Sequence, residues 1–184
     1  MDTGEFDEVW LCPCNRHMFN KPDLKTVDPR HRVAMCELIV HSYDMTAKVF
    51  PYEIEHNLRG SWHEFLTALQ EDPVYSEYDF STVIGQDNAN VFDRWVNADR
   101  LKRDHRFVVI GRQGVEPEGD WYLRPPHICV SAELPDCSST EVRNLLPKVW
   151  KNNLWPNLPH HLFEIMPGDV LKYIRRYSLY KDKR

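Results

Sequence analysis

The sequence predicts an α/β protein built on a parallel β-sheet covered by helices. Three observations carry that expectation. Short apolar runs alternate along the whole chain with segments whose apolar residues recur at helical spacing. Three polar clusters, at 13–21, 85–95 and 138–143, each follow the end of such an apolar run, where ligands bind in parallel sheets. With 184 residues, 42% of them hydrophobic and 28% charged, the chain has the size and composition of a soluble globular domain with a proper core.

Taken in order, residues 8–13 (Glu-Val-Trp-Leu-Cys-Pro) read as a short buried strand. A polar loop runs to Asp28, where Asp28-Pro29 marks a helix start with proline at the first helical position. Val33, Cys36, Ile39, Val40 and Tyr43 then recur at helical spacing. Residues 47–54 read as an edge-type strand, because Pro51 interrupts them. Residues 61–71 suit a helix that buries Phe65, Leu66 and Leu69. Residues 79–84 make a strand that stops at Gly85, followed by a helical stretch with Val91, Phe92, Trp95 and Val96 as apolar points. Residues 106–111 are the clearest strand, and a turn-rich loop over 111–126 leads to another at 127–131. Ser138 and Glu141 form a capping box before Val142, Leu145, Leu146 and Val149. Residues 167–180 are a closing helix. With no internal repeat and no linker, 1–184 is expected to be a single domain.

Net charge is −5 at pH 7, which argues against broad nucleic-acid binding. The basic residues near the end (Lys172, Arg175, Arg176, Lys181, Lys183, Arg184) fit a solvated helix face. The acidic start does not resemble a signal peptide, and no apolar run approaches a membrane span, so a cytoplasmic protein is expected. Five cysteines, in or beside apolar runs and without zinc-site spacing, read as reduced and mostly buried thiols. The histidines form no metal set, and no Ser-His-Asp order or phosphate loop of the Gly-Lys-Ser/Thr type occurs.

The third cluster is the most informative. Ser138, Ser139, Thr140 and Arg143 converge on a helix N-terminus, where free N–H groups and the helix dipole favour an anion and Arg143 adds a forked donor. In the first, Arg16, His17 and Lys21 follow a strand end and can hold a phosphate. In the second, Gly85 permits close approach to the backbone, Asp87 can accept from ribose hydroxyls or assist a metal, and Trp95 can stack on a flat ring. Each also has a plain structural reading: a capped surface helix, a solvated basic loop, and a capping aspartate with a core tryptophan.

Together and in order, the clusters resemble the nicotinate/nicotinamide mononucleotide adenylyltransferases, within the H-x-G-H nucleotidyltransferases. The likeness runs from about Phe6 to Tyr180. "DEVWLCP" resembles the family's second strand, "RHMFNK" its substrate loop and "RVAMCEL" the following helix. "VIGQDNANVFDRW" resembles the I-G-x-D segment with its later tryptophan, and "FVVIGRQG" the next strand and its arginine. "SSTEVR" resembles the S-S-T-x-x-R signature and "VLKYIRRYSLY" the closing helix. The resemblance implies a Rossmann-like parallel sheet with helices on both faces. It implies transfer of AMP from ATP to nicotinate or nicotinamide mononucleotide in NAD synthesis, with release of pyrophosphate. By the same resemblance, Ser138, Ser139, Thr140 and Arg143 would hold the ATP phosphates, with Gly85 and Asp87 against the nucleotide. Trp95 would stack on the pyridine ring, His17 and Lys21 would meet the mononucleotide phosphate, and Arg112 would line the same mononucleotide site. Magnesium would accompany ATP, with no metal held by the protein alone.

Two departures stand out. The family begins with a strand and G-x-F-x-P-x-H-x-G-H, whose histidines grip ATP phosphates. This sequence has no such motif and is expected to lack the family's first strand, so the resemblance assigns it no catalytic residue. In "GSWHEFL", Trp62 and His63 stand where the family shows a threonine-bearing S-Y-T-x-x-T-L. The alternatives are a nucleotide-binding or regulatory homologue without complete catalytic machinery, and an H-x-G-H transferase with another acceptor.

Overall fold

In the computed structural model, residues 5–16, 27–111, 114–132 and 139–181 are described. The elements are β1 (Trp10–Leu11), α1 (Pro29–Ser42), β2 (Lys48–Val49), α2 (Tyr52–Glu55), α3 (Trp62–Glu71), β3 (Ser81–Gly85), α4 (Gln86–Asn90), α5 (Ala98–Asp104), β4 (Arg106–Gly111), β5 (Ile128–Ser131), α6 (Ser139–Lys151), α7 (His161–Ile165) and α8 (Gly168–Arg176). The chain is α/β, and among the described residues its strands pair in parallel, as expected. It divides into two compact units, one of residues 1–60 with 137–184, the other of residues 61–136.

In the first unit, β1 and β2 pair in parallel, Trp10 opposite Lys48 and Leu11 opposite Val49. The expected strand over 47–54 is cut short. Pro51 has no N–H for the ladder, and its carbonyl instead accepts from Ile54 and Glu55 at 2.9 and 3.1 Å to start α2. α1 begins as expected: the Asp28 carboxylate accepts from the Arg30 N–H at 2.9 Å, with Pro29 in the first turn. Tyr43 does not join its buried face. It caps the helix C-terminus and is 57% exposed, while Met35 is the buried residue.

The core of this unit gathers Val27 and Met35, Leu146 and Val149 from α6, Trp155, Leu162 from α7, and Val170, Leu171 and Ile174 from α8. Leu146, Val149 and Leu162 have no exposed surface. Fully burying one such side chain is worth about 1.5–3 kcal/mol. The closing helix is shorter than the sequence suggests. It ends at Arg176 because Ser178 and Tyr180 take left-handed conformations (φ 52° and 55°), which stop helical hydrogen bonding.

In the second unit, β3, β4 and β5 form a parallel sheet in that order, with Gly85 opposite Ile110 and Gly111 opposite Ser131. The central strand β4 matches its expected bounds, and Phe107 and Val109 are fully buried. α3 buries Phe65, Leu66 and Leu69 as expected. The helix expected after Gly85 breaks in two. α4 stops at Asn90, a 3₁₀ turn carries Phe92–Arg94, and Asn97 at φ 57° begins α5. Phe92 drives the break. It is 1% exposed, packed between Phe107 and Trp121 at 5.0 and 4.6 Å between ring centroids, while Val91 and Val96 face out.

Among the described residues the four cysteines are free thiols. They are less buried than expected: Cys12, Cys14 and Cys36 are half-buried and Cys129 is exposed on alternating strand β5. Burial, with the nearby charge of Glu53, pushes the Cys12 thiol up to about 12 and leaves it unreactive at neutral pH. Among the described residues no helix is long and apolar enough to cross a membrane.

Candidate functional site

The end of β3 is built around a carboxylate. Gly85 has an ordinary extended backbone (φ −74°, ψ 154°), so its glycine is not required by conformation. What it provides is room for a side chain: a Cβ there would stand 2.6 Å from Oδ1 of Asp87, which would have to swing aside. The Asp87 side chain thus folds back across the strand end, exposed, in the first turn of α4. Free helical N–H groups favour negative charge at that position.

Between Gly85 and Asp87 lies Gln86, only 6% exposed. Its Nε2 donates to the Val115 carbonyl at 2.8 Å. One turn later the Asn90 amide donates to the Glu116 carbonyl at 2.8 Å, and its oxygen accepts from the Glu118 N–H at 3.0 Å. Residues four apart share a helix face, so Gln86 and Asn90 together hold the loop that follows β4. Their polar side chains satisfy backbone groups that the loop cannot satisfy itself.

Trp95 follows the 3₁₀ turn with an extended backbone (φ −78°, ψ 150°) and is half-buried. One face stacks on Phe92, with ring centroids 4.7 Å apart and planes at 24°. Lys102 braces the group beneath. Its ammonium lies 5.2 Å from the Trp121 ring and pairs with Asp93. Trp95 borders a cavity of about 590 Å³ shared with Asp93, Asn97, Asp99, Arg100 and Arg103. A ring held on one face and bordering a polar cavity suits stacking of a flat, charged heterocycle.

In the first unit, α6 opens at Ser139, with Ser139 and Thr140 exposed and Arg143 half-buried. Nη2 of Arg143 donates to Oγ of Ser139 at 2.8 Å, which pins the guanidinium against the first turn of the helix. Pro147 sits inside the helix, and its missing N–H is the one that would meet the Arg143 carbonyl. Burial pushes the Tyr180 phenol up, and the positive charges of Arg143 and Arg32 pull it part of the way back. A guanidinium held by a neighbouring hydroxyl, with two hydroxyl side chains at a helix N-terminus, makes a donor set for phosphate oxygens.

Of the residues singled out by sequence, the structure brings Gly85 together with Asp87, and Ser139 with Arg143. Ser138, His17, Lys21 and Arg112 lie outside the described residues. Sequence reasoning missed Gln86 and Asn90 on α4, and also Asn15, Arg32 and Glu53 in the first unit. A polar pair spaced i, i+4 in a short helix, and a carboxylate amid apolar residues, were the available signals. Among the described residues no group of three or more His, Cys, Asp or Glu side chains could hold a metal ion. The donor chemistry suits magnesium as part of an ATP complex, coordinated mainly by phosphates.

A carboxylate at a strand end of a parallel sheet and, in the other unit, a helix start offering phosphate donors are each features met in nucleotide-handling α/β proteins. The cytidylyltransferase-like family model matches residues 2–145, and the chain belongs to that family. Over 183 residues it is 29% identical to a probable nicotinate-nucleotide adenylyltransferase of Myxococcus xanthus, covering 99% of this chain and 83% of that one. The protein of the same name from Flavobacterium psychrophilum is 24% identical over 181 residues, covering 98% and 86%. Among solved structures, Plasmodium falciparum nicotinic acid mononucleotide adenylyltransferase complexed with NaAD superposes with a TM-score of 0.69 at 16% identity, over 97% of this chain and 85% of that one. The same enzyme complexed with APC gives 0.70 at 18% identity, with the same coverage. The fold is therefore that of the Rossmann-like adenylyltransferases.

Proposed function

We propose that this chain is a nicotinate-nucleotide adenylyltransferase. The observation that carries the reading is Arg143 pinned by Ser139 at the start of α6, in a chain alike over nearly its whole length to proteins of that name. The reaction needs no protein nucleophile. A phosphate oxygen of the pyridine mononucleotide attacks the α-phosphorus of ATP, the bond to the β-phosphate oxygen breaks, and pyrophosphate leaves. Protein groups align the attacking phosphate and neutralise charge that develops on the leaving group.

In the first unit, Ser138, Ser139, Thr140 and Arg143 hold the ATP phosphates, and His17 and Lys21 meet the mononucleotide phosphate. In the second, Gly85 and Asp87 lie against the nucleotide, Trp95 stacks on the pyridine ring and Arg112 lines the mononucleotide site. Magnesium supplies further charge neutralisation on the phosphates.

The test is direct. Purified chain mixed with ATP, magnesium and nicotinate mononucleotide is expected to release pyrophosphate and form the dinucleotide. Binding of both substrates without pyrophosphate release would instead favour a nucleotide-binding homologue. Turnover only with another phosphate-bearing acceptor would favour a different transferase.

A further inference from the structure

The loop that leaves β1 is gripped at a single peptide group from both sides. Nη1 of Arg32, on α1, donates to the Cys14 carbonyl, and its Nη2 donates to the Asn15 carbonyl at 3.0 Å. The Asn15 N–H donates to Oε2 of Glu53 at 3.1 Å. In a trans peptide the Cys14 carbonyl and the Asn15 N–H point in opposite directions. One guanidinium and one carboxylate, 21 residues apart in sequence, therefore fix the plane of that peptide. The Asn15 side chain adds two more bonds, to Oδ1 of Asn57 at 3.1 Å and to the Leu58 carbonyl at 2.9 Å.

Connecting loops are usually more mobile than the elements they join, and these bonds hold this turn in one conformation. Glu53 is only 3% exposed, and a buried carboxylate is costly unless it is paired or hydrogen-bonded. The next residue is Arg16, whose side chain is exposed. A phosphate-binding arginine works best when its backbone is already fixed, because less entropy is lost on binding.

We infer that Arg32 and Glu53 are positioning residues that fix the Cys14–Asn15 peptide so that Arg16 stands ready for the phosphate of the pyridine mononucleotide. The inference rests on the adenylyltransferase reading and adds to it one phosphate-contacting residue and the two that place it. Arg32 and Glu53 do not touch the substrate. They act through Arg16, so their loss should weaken recognition of the phosphate alone.

The experiment compares nicotinate mononucleotide with nicotinic acid riboside, the same molecule without its phosphate, by calorimetry on the full chain. The proteins are wild type, Arg16→Gln, Arg32→Lys, Glu53→Gln and the double variant Arg16→Gln/Arg32→Lys. Arg32→Lys keeps charge and bulk but loses the fork, and exposed Arg16→Gln leaves the core untouched, so neither depends on how well Glu53→Gln folds. Each of Arg16→Gln and Arg32→Lys is expected to weaken mononucleotide binding about tenfold and riboside binding less than twofold. In the Arg16→Gln background, Arg32→Lys should add less than a twofold further loss, because the two act as one unit. Equal losses for mononucleotide and riboside, additive losses, or no loss in variants that melt like wild type would each overturn the inference. Measured turnover with ATP separates the two levels. Wild-type turnover with any of those three results sinks the positioning role alone, whereas absence of both turnover and mononucleotide binding sinks the adenylyltransferase reading and this inference with it.

Discussion

The starts of α4 and α6 are both helix N-termini placed after strands, yet they are built for opposite partners. At α4 a glycine makes room for a carboxylate, and the turn offers acceptors, suited to hydroxyl groups. At α6 a serine hydroxyl receives an arginine four residues on, and the turn offers donors, suited to phosphate oxygens. Backbone N–H groups make both helix starts partly positive, so the side chains decide the role. A helix N-terminus by itself says little about its ligand, and the residue paired across its first turn says much more.

The largest effect is expected where the donor set loses its charge. Arg143→Ala should lower kcat/KM for ATP about a hundredfold, close to 2.7 kcal/mol of transition-state stabilisation, while thermal melting stays near wild type. Unchanged turnover would remove the phosphate role from α6. At the acceptor turn, Gly85→Ala places a Cβ 2.6 Å from Oδ1 of Asp87 and must swing that carboxylate aside. The expected result is about a tenfold loss of kcat/KM with little change in folding, because the clash is with a side-chain end that can rotate. Wild-type kinetics in Gly85→Ala would show that the carboxylate's position does not matter.

Gln86→Ala breaks the bond to Val115 and leaves that carbonyl without its partner. It should cost about 1–3 kcal/mol of stability in urea denaturation. Ser139→Ala removes the hydroxyl that receives Nη2 of Arg143 and keeps the arginine, and about a threefold rise in KM for ATP is expected.

The smallest effect is on pH dependence. Burial lowers the pKa values of His105 and His127 below the ordinary 6.5, and Nδ1 of His127 accepts from the Phe107 N–H at 3.3 Å, which requires that nitrogen unprotonated. Above 6.5 both folded and unfolded chains hold neutral rings, and these groups contribute no slope. Below it the unfolded chain binds protons that the buried rings refuse, so stability falls as pH drops from 6.5 through the lowered folded values. Replacing both histidines with glutamine should flatten chemical-denaturation midpoints over that window.

Much of this was legible because some residues carry their own geometry. Asp28-Pro29 announces a capped helix, the β-branched run of β4 announces a buried strand, and Gly85 announces a close approach, although its reason proved to be a neighbouring side chain and not backbone freedom. What escaped depends on partners distant in sequence. α5 buries only Leu101 in a run of charges, so no periodicity marks it. Pro51 looked like a flaw in a strand and is instead the start of a helix. Glu53 and Arg32 owe their roles to a peptide group that lies 38 residues from the first. The pairing of Ser139 with Arg143 was readable as spacing, but only the structure shows the hydroxyl holding the guanidinium in place.

The contrast between the two turns is tested most directly by nucleotide affinity. Calorimetry would compare a non-hydrolysable ATP analogue with AMP, which lacks the β- and γ-phosphates, on wild type, Arg143→Ala and Asp87→Asn. Arg143→Ala is expected to lose affinity for the ATP analogue and keep it for AMP, while Asp87→Asn weakens both alike. Equal losses of the two ligands in Arg143→Ala, or no loss of either in both variants, would contradict it.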